Sequence, residues 1–181
     1  MTRSETTKFL SDLLIRDRLS GIGKYYASEV TLDWGKGKGK EKRIDFLQFS
    51  PESQLCVGDI EKGIFTCYEI KSCKEDVFSG NGLNFIGEKN YIVTTMECWK
   101  DIMGDLGKLQ NHIEMCNPES STTFGIMVAR PFPRSLTDEF ENPTPLESDV
   151  YWTLEVIKPC RESYRRRSMS ELLFYMLRSG R

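Results

Sequence analysis

Histidine is almost missing from this chain: His112 is the only one in 181 residues. Its scarcity excludes zinc sites of several histidines, paired catalytic histidines and most Ser-His-Asp arrangements. His112 falls in a helical pattern and reads as structural. The six cysteines, at 56, 67, 73, 98, 116 and 160, form no CxxC pair and no zinc-ribbon spacing. They read as reduced thiols of a cytoplasmic protein with no disulfide framework. No apolar run approaches a membrane span, and no apolar signal region follows Met1. A phosphate-binding Walker A loop is missing too. Gly35-Lys36-Gly37-Lys38-Gly39-Lys40 lacks GK[ST] at the required spacing, and no helix opens behind it. Strong net charge is also lacking, since 25 Lys/Arg stand against 27 Asp/Glu.

The charge that is present is unevenly spread. Lys36 to Arg43 holds five Lys/Arg against one Glu, and Lys158 to Arg181 holds seven against two. Lys36, Lys38, Lys40, Lys42 and Arg43 form one candidate surface for nucleic acid or an acidic partner. Arg161, Arg165, Arg166 and Arg167 form the other. For the glycine-lysine stretch, a flexible soluble turn is an equally good reading. The length fits one domain over residues 1–181.

Hydrophobic periodicity lays out the elements. Ser4 to Leu19 reads as a helix, with Phe9, Leu10, Leu13 and Leu14 on one face and a solvated face carrying Glu5, Asp12, Arg16 and Asp17. Strands are predicted at Tyr25–Trp34, Arg43–Phe49 and Ile64–Ser72, with a short one at Leu55–Val57. Cys73 to Phe78 reads as a helical turn, and Gly82 to Gly87 as a loop lying over the site. Asn90–Thr95 is a further strand and Glu97–Cys116 a helix weakened by Gly104 and Gly107. Strands at Phe124–Ala129 and Tyr151–Ile157 bracket an acidic, proline-containing stretch, 134–149, predicted as an exposed loop or linker. Ser168-Met169-Ser170-Glu171 is a capping box opening a last helix.

Tyr68-Glu69-Ile70-Lys71-Ser72 carries the chemistry. Side chains alternate along a strand, so Glu69 and Lys71 share one face while Tyr68 and Ile70 take the other. A carboxylate and an ammonium at a strand end are costly to bury unless paired or bound to something. If this strand pairs with the one bearing Asp45, then Asp45 and Glu69 converge on one divalent cation. The Ile70 carbonyl would add a third oxygen, and Glu29 reads as either an accessory ligand or a salt-bridge partner. Lys71 beside them suits the stabilisation of an attacking hydroxide and the scissile phosphate. A salt-bridged sheet end is the plainer reading of the same residues.

Lys42-Arg43-Ile44-Asp45-Phe46 followed by Tyr68-Glu69-Ile70-Lys71-Ser72 resembles the PD-(D/E)XK nuclease superfamily. The likeness is to small phage- or prophage-borne and bacterial repair-associated members. It runs from Tyr25 to about Trp99 and includes the acidic-aromatic turn Lys74–Phe78 and the Asn90-Tyr91-Ile92-Val93 strand. It implies a restriction-endonuclease-like αβββαβ core, a central mixed sheet flanked by helices. It also implies an Mg²⁺- or Mn²⁺-dependent deoxyribonuclease, with Asp45 and Glu69 as metal ligands and Lys71 as the catalytic lysine. Many members of the superfamily act as homodimers. No proline precedes Asp45, and glycines at 80, 82 and 87 interrupt the helix expected after the core strands. The alternative expectation is a binding protein on the same scaffold, gripping a host protein or nucleoprotein complex without cutting DNA.

Overall fold

The computed structural model describes residues 1–33 and 41–179. Lys36, Lys38, Lys40 and Trp34 lie outside that range. The fold is α/β, built on one six-stranded mixed sheet in the order β1-β2-β3-β4-β5-β6. The strands are β1 (Tyr25–Leu32), β2 (Lys42–Ser50), β3 (Ile64–Ile70), β4 (Lys89–Thr94), β5 (Gly125–Pro131) and β6 (Trp152–Lys158). β3, β4 and β5 run parallel to one another, and the other neighbours are antiparallel.

Helix α1 (Arg3–Leu14) covers one face. It starts one residue earlier than the apolar period predicts, because Thr2 and Glu5 form a reciprocal capping box. Leu10, Leu13 and Leu14 pack there with Phe46, Tyr68, Ile70, Val93 and Trp152. Beyond Leu14 the helix widens into a π turn over Ile15–Leu19, closed by Ser20 N–H on the Ile15 carbonyl at 2.8 Å. That turn aims Arg16, Asp17 and Arg18 at the backbone of β6. Asp17 accepts from Leu154 N–H at 2.9 Å, and Arg18 donates to the Leu154 carbonyl at 2.9 Å. Arg16 and Asp17, read as part of a solvated face, therefore tie down an edge strand together with Arg18.

The opposite face carries α4 (Met96–Ile102), α5 (Leu106–Cys116) and α7 (Met169–Ser179). Ile102, Leu109, Ile113 and Leu172 pack there on Leu47, Phe65, Cys67 and Ile126. The single helix predicted over 97–116 is thus two helices, joined by a 3₁₀ turn at Met103–Asp105 that includes Gly104.

Two further expectations are corrected. Leu55–Val57 is not a strand. Glu52 N–H donates instead to the Asp59 carbonyl, and Val57–Glu61 coils into α2. The stretch 134–149 is not loop throughout. Ser135 caps α6 (Leu136–Glu141), and buried Glu139 pairs with Arg134 at 3.2 Å and accepts from Thr144 N–H at 2.7 Å. No helix among the described residues is long and apolar enough to cross a membrane.

Candidate active site

The site lies where the β2–β3 ladder opens. The last pair is Phe46 with Tyr68, so the next positions along, Asp45 and Glu69, face each other across the gap. An irregularity in β1 and β2 helps open it. Glu29 adopts φ 54°, and Ala27, Val30 and Leu32 all reach the same core, which strict alternation forbids. In β2, Ile44 and Leu47 share that core in the same way. Asp45, at this step, turns its Oδ2 to accept from Ile70 N–H at 2.8 Å. The structure thus shows Ile70 holding Asp45 through its amide.

Glu69 is only 1 % exposed and Lys71 only 4 %. The loop read as lying over the site does so. Asn84 N–H donates to Glu69 Oε1 at 3.4 Å, and Leu83 N–H also supports the carboxyl. Gly82, at φ 74°, presses its backbone on the pair, and a Cβ there would stand 2.5 Å from Glu69 Oε2 and 3.1 Å from Lys71 Nζ. Only glycine fits that conformation and that approach. Lys71 Nζ donates to the Asn81 carbonyl at 2.8 Å and lies 3.7 Å from Asp76.

Burial pushes the Glu69 carboxyl up to about 8, and the nearby Asp45 charge adds to the shift. Asp45 is raised as well, again by desolvation first. Two carboxyls that resist ionising together favour a cation between them. Hard dications take oxygen ligands, so the donor set fits Mg²⁺ or Mn²⁺. Among the described residues no group of three or more His, Cys, Asp or Glu gathers around a metal position. Asp45 and Glu69 would therefore carry a bound cation with only neutral oxygens to help.

Asp76 went unread as a site residue in the sequence. It lies in α3 (Lys74–Val77), is buried, and accepts from Ser72 N–H at 3.2 Å while pairing with Lys71 and with Arg3 of α1. The Ser72-x₃-Asp76 spacing was its local signal. Arg3 had none, since α1 reaches the site only through tertiary packing. Arg3, Asp45, Lys71, Asp76, Asn84 and Asn117 share the walls of one polar cleft of ≈ 680 Å³.

Other expected residues are placed differently. Glu29 makes the salt bridge that was its alternative reading: it is exposed, pairs with Arg43 at 2.8 Å and does not line the cleft. Lys42 and Arg43 do line it. The predicted basic arm forms a strap along the molecule: Ser163 N–H donates to the Glu88 carbonyl and Arg166 N–H to the Ile86 carbonyl. Arg165 pairs with Glu88 at 3.2 Å. Arg167 reaches Asp33 at 2.9 Å, Glu119 at 2.8 Å and Glu171 at 3.4 Å. These two arginines are tied to the protein itself, whereas Arg161 and Arg166 are exposed.

Comparison with family models, with curated proteins and with solved structures finds no match to this chain.

Proposed function

We propose that this cleft is the active site of a cytoplasmic, metal-dependent nuclease of PD-(D/E)XK type that hydrolyses phosphodiester bonds in DNA. The observation that carries the reading is Glu69: a carboxyl 1 % exposed, opposite Asp45 at the opening of the β2–β3 ladder, with Lys71 on the same wall. Burying this group without a partner in function would be costly. The element order, one helix, three antiparallel strands, a helical turn and a parallel fourth strand, supports the same reading.

Asp45 and Glu69 would hold Mg²⁺ or Mn²⁺, which supplies a water of lowered pKa and neutralises charge developing on phosphate. Ile70 N–H fixes the Asp45 carboxylate, and the amides of Leu83 and Asn84 fix Glu69. Lys71, held by the Asn81 carbonyl, supplies a fixed cation for the developing phosphorane. Asp76 orients both Lys71 and Arg3, and exposed Arg3 offers a phosphate contact at the cleft mouth. Incubation with covalently closed circular and linear DNA, with Mg²⁺ or Mn²⁺ and again with chelator, tests the reading. Metal-dependent cleavage is expected, and its absence with both metals on both substrates refutes it.

A second reading, a nuclease-fold protein that grips a host protein or nucleoprotein complex without cutting, draws on one observation. Tyr25, Tyr26, Leu55, Val57 and Leu177 are exposed together around an apolar groove of ≈ 920 Å³. Contiguous apolar surface of this kind marks interaction sites.

A further inference from the structure

We propose that the side-chain oxygen of Asn84 is a third protein ligand of the divalent cation held by Asp45 and Glu69. The inference rests on the nuclease reading of the cleft and adds a residue that no part of the sequence pattern assigns.

Asn84 is 4 % exposed and stands in the cleft wall. Its Nδ2 donates to the Arg43 carbonyl at 2.7 Å, and its backbone N–H donates to Glu69 Oε1 at 3.4 Å. Arg43 belongs to β2 and Glu69 to β3, so Asn84 bridges the two strands where they part. A carboxamide is planar. With Nδ2 fixed on Arg43, the oxygen is directed away from that carbonyl. This Oδ1 is buried and has no hydrogen-bond partner among the described residues.

A buried acceptor without a donor costs roughly 1–3 kcal/mol, so an orphan of this kind asks for a ligand. Lys71 is not the missing donor: its ammonium donates to the Asn81 carbonyl at 2.8 Å and makes no hydrogen bond to Asn84 Oδ1. Among the described residues, the other buried side-chain atoms lacking partners belong to Arg18, Asn90, Arg130 and Trp152, and none of these residues lines this cleft. Among these atoms, Asn84 Oδ1 alone belongs to a residue that shares the cleft wall with Asp45 and Glu69. A dication that prefers oxygen suits it. A neutral carboxamide also adds a ligand without adding to the repulsion between Asp45 and Glu69.

The test is Mn²⁺ binding by calorimetry on the purified parent, Asn84→Ala and Asn84→Asp. Asn84→Ala removes the oxygen and the Nδ2 donor together. Asn84→Asp keeps an oxygen but also loses the donor to Arg43. If the oxygen is a ligand, Asn84→Ala should bind Mn²⁺ about 10–100-fold more weakly, while Asn84→Asp binds as tightly as the parent or tighter. If Asn84→Ala binds like the parent, or both variants are weakened alike, the residue acts only through its hydrogen bond to Arg43 and the assignment is overturned. Should Asn84→Ala fail to fold, Asn84→Asp decides alone, and weakened binding overturns the assignment. A parent that takes up no Mn²⁺ overturns this inference and the nuclease reading together. A parent that binds while the Asn84 variants do not behave as stated overturns only the former.

Discussion

The Glu69 cleft and the strap from Lys158 to Ser168 are both rich in charge, and they use it in opposite ways. In the strap, Arg165 and Arg167 meet carboxylates of the same molecule, four of them between the two side chains. In the cleft, Glu69 and Asp45 are crowded together, and burial raises both. The strap's charge serves the fold, whereas the cleft's charge strains it. The difference teaches that a run of like charges does not reveal availability. What matters is whether opposite charges from distant elements arrive beside it.

Lys71→Ala breaks the cleft's half of the comparison most sharply. DNA cleavage should fall by about 10²-fold or more, as on removing one transition-state stabiliser. Mn²⁺ binding should persist, because both carboxylates remain. Initial rates on supercoiled DNA, with calorimetry on the same sample, read both quantities.

Arg167→Ala breaks the strap's half. It takes the guanidinium away from Asp33, a buried carboxylate, and releases two more acids. A loss of about 2 kcal/mol is expected in urea unfolding, with cleavage per folded molecule unchanged. A loss of cleavage at full stability would instead make Arg167 a substrate-binding residue.

pH sharpens the contrast. The unfolded chain releases the Glu69 proton near 4.5, while the folded, metal-free protein keeps it to about 8. Between these values the folded state binds more protons, so its stability falls as pH rises. The raised Asp45 acts in the same direction. Urea titrations at pH 5, 6.5 and 8 in chelator should show the decline, and Glu69→Gln should show a shallower one.

The smallest effect is expected at Arg161 and Arg166, the exposed arginines of the strap. Replacing both by Ala should leave stability within about 0.5 kcal/mol. If they neutralise phosphates, the dependence of DNA affinity on salt should flatten by about 0.9 for each arginine that does so. An unchanged slope removes them from the DNA surface.

Much of this layout was legible in the chain. Apolar runs rich in branched and aromatic residues located β2, β3 and β4, and the Glu69-x-Lys71 spacing placed two ionisable groups on one wall. The glycine-bracketed 82–87 segment read correctly as a loop over them. Other features could not be read because they depend on partners far along the chain. Arg3 reaches Asp76 across 73 residues, and Arg167 reaches Asp33 across 134. Glu29 could be read two ways from sequence, and its pairing with Arg43 depends on a left-handed backbone that breaks the period-two pattern. The orphaned oxygen of Asn84 is an accounting of hydrogen bonds, and no residue pattern encodes it.

We propose that the raised, buried Glu69 holds a cation for phosphodiester hydrolysis. The most direct test compares parent and Glu69→Gln, side by side, for Mn²⁺ uptake by calorimetry and for Mn²⁺-dependent nicking of covalently closed circular DNA. The parent is expected to bind and nick, and Glu69→Gln, still folded, to do neither. A parent that neither binds nor nicks, or a Glu69→Gln protein that does both as well as the parent, would contradict the proposal.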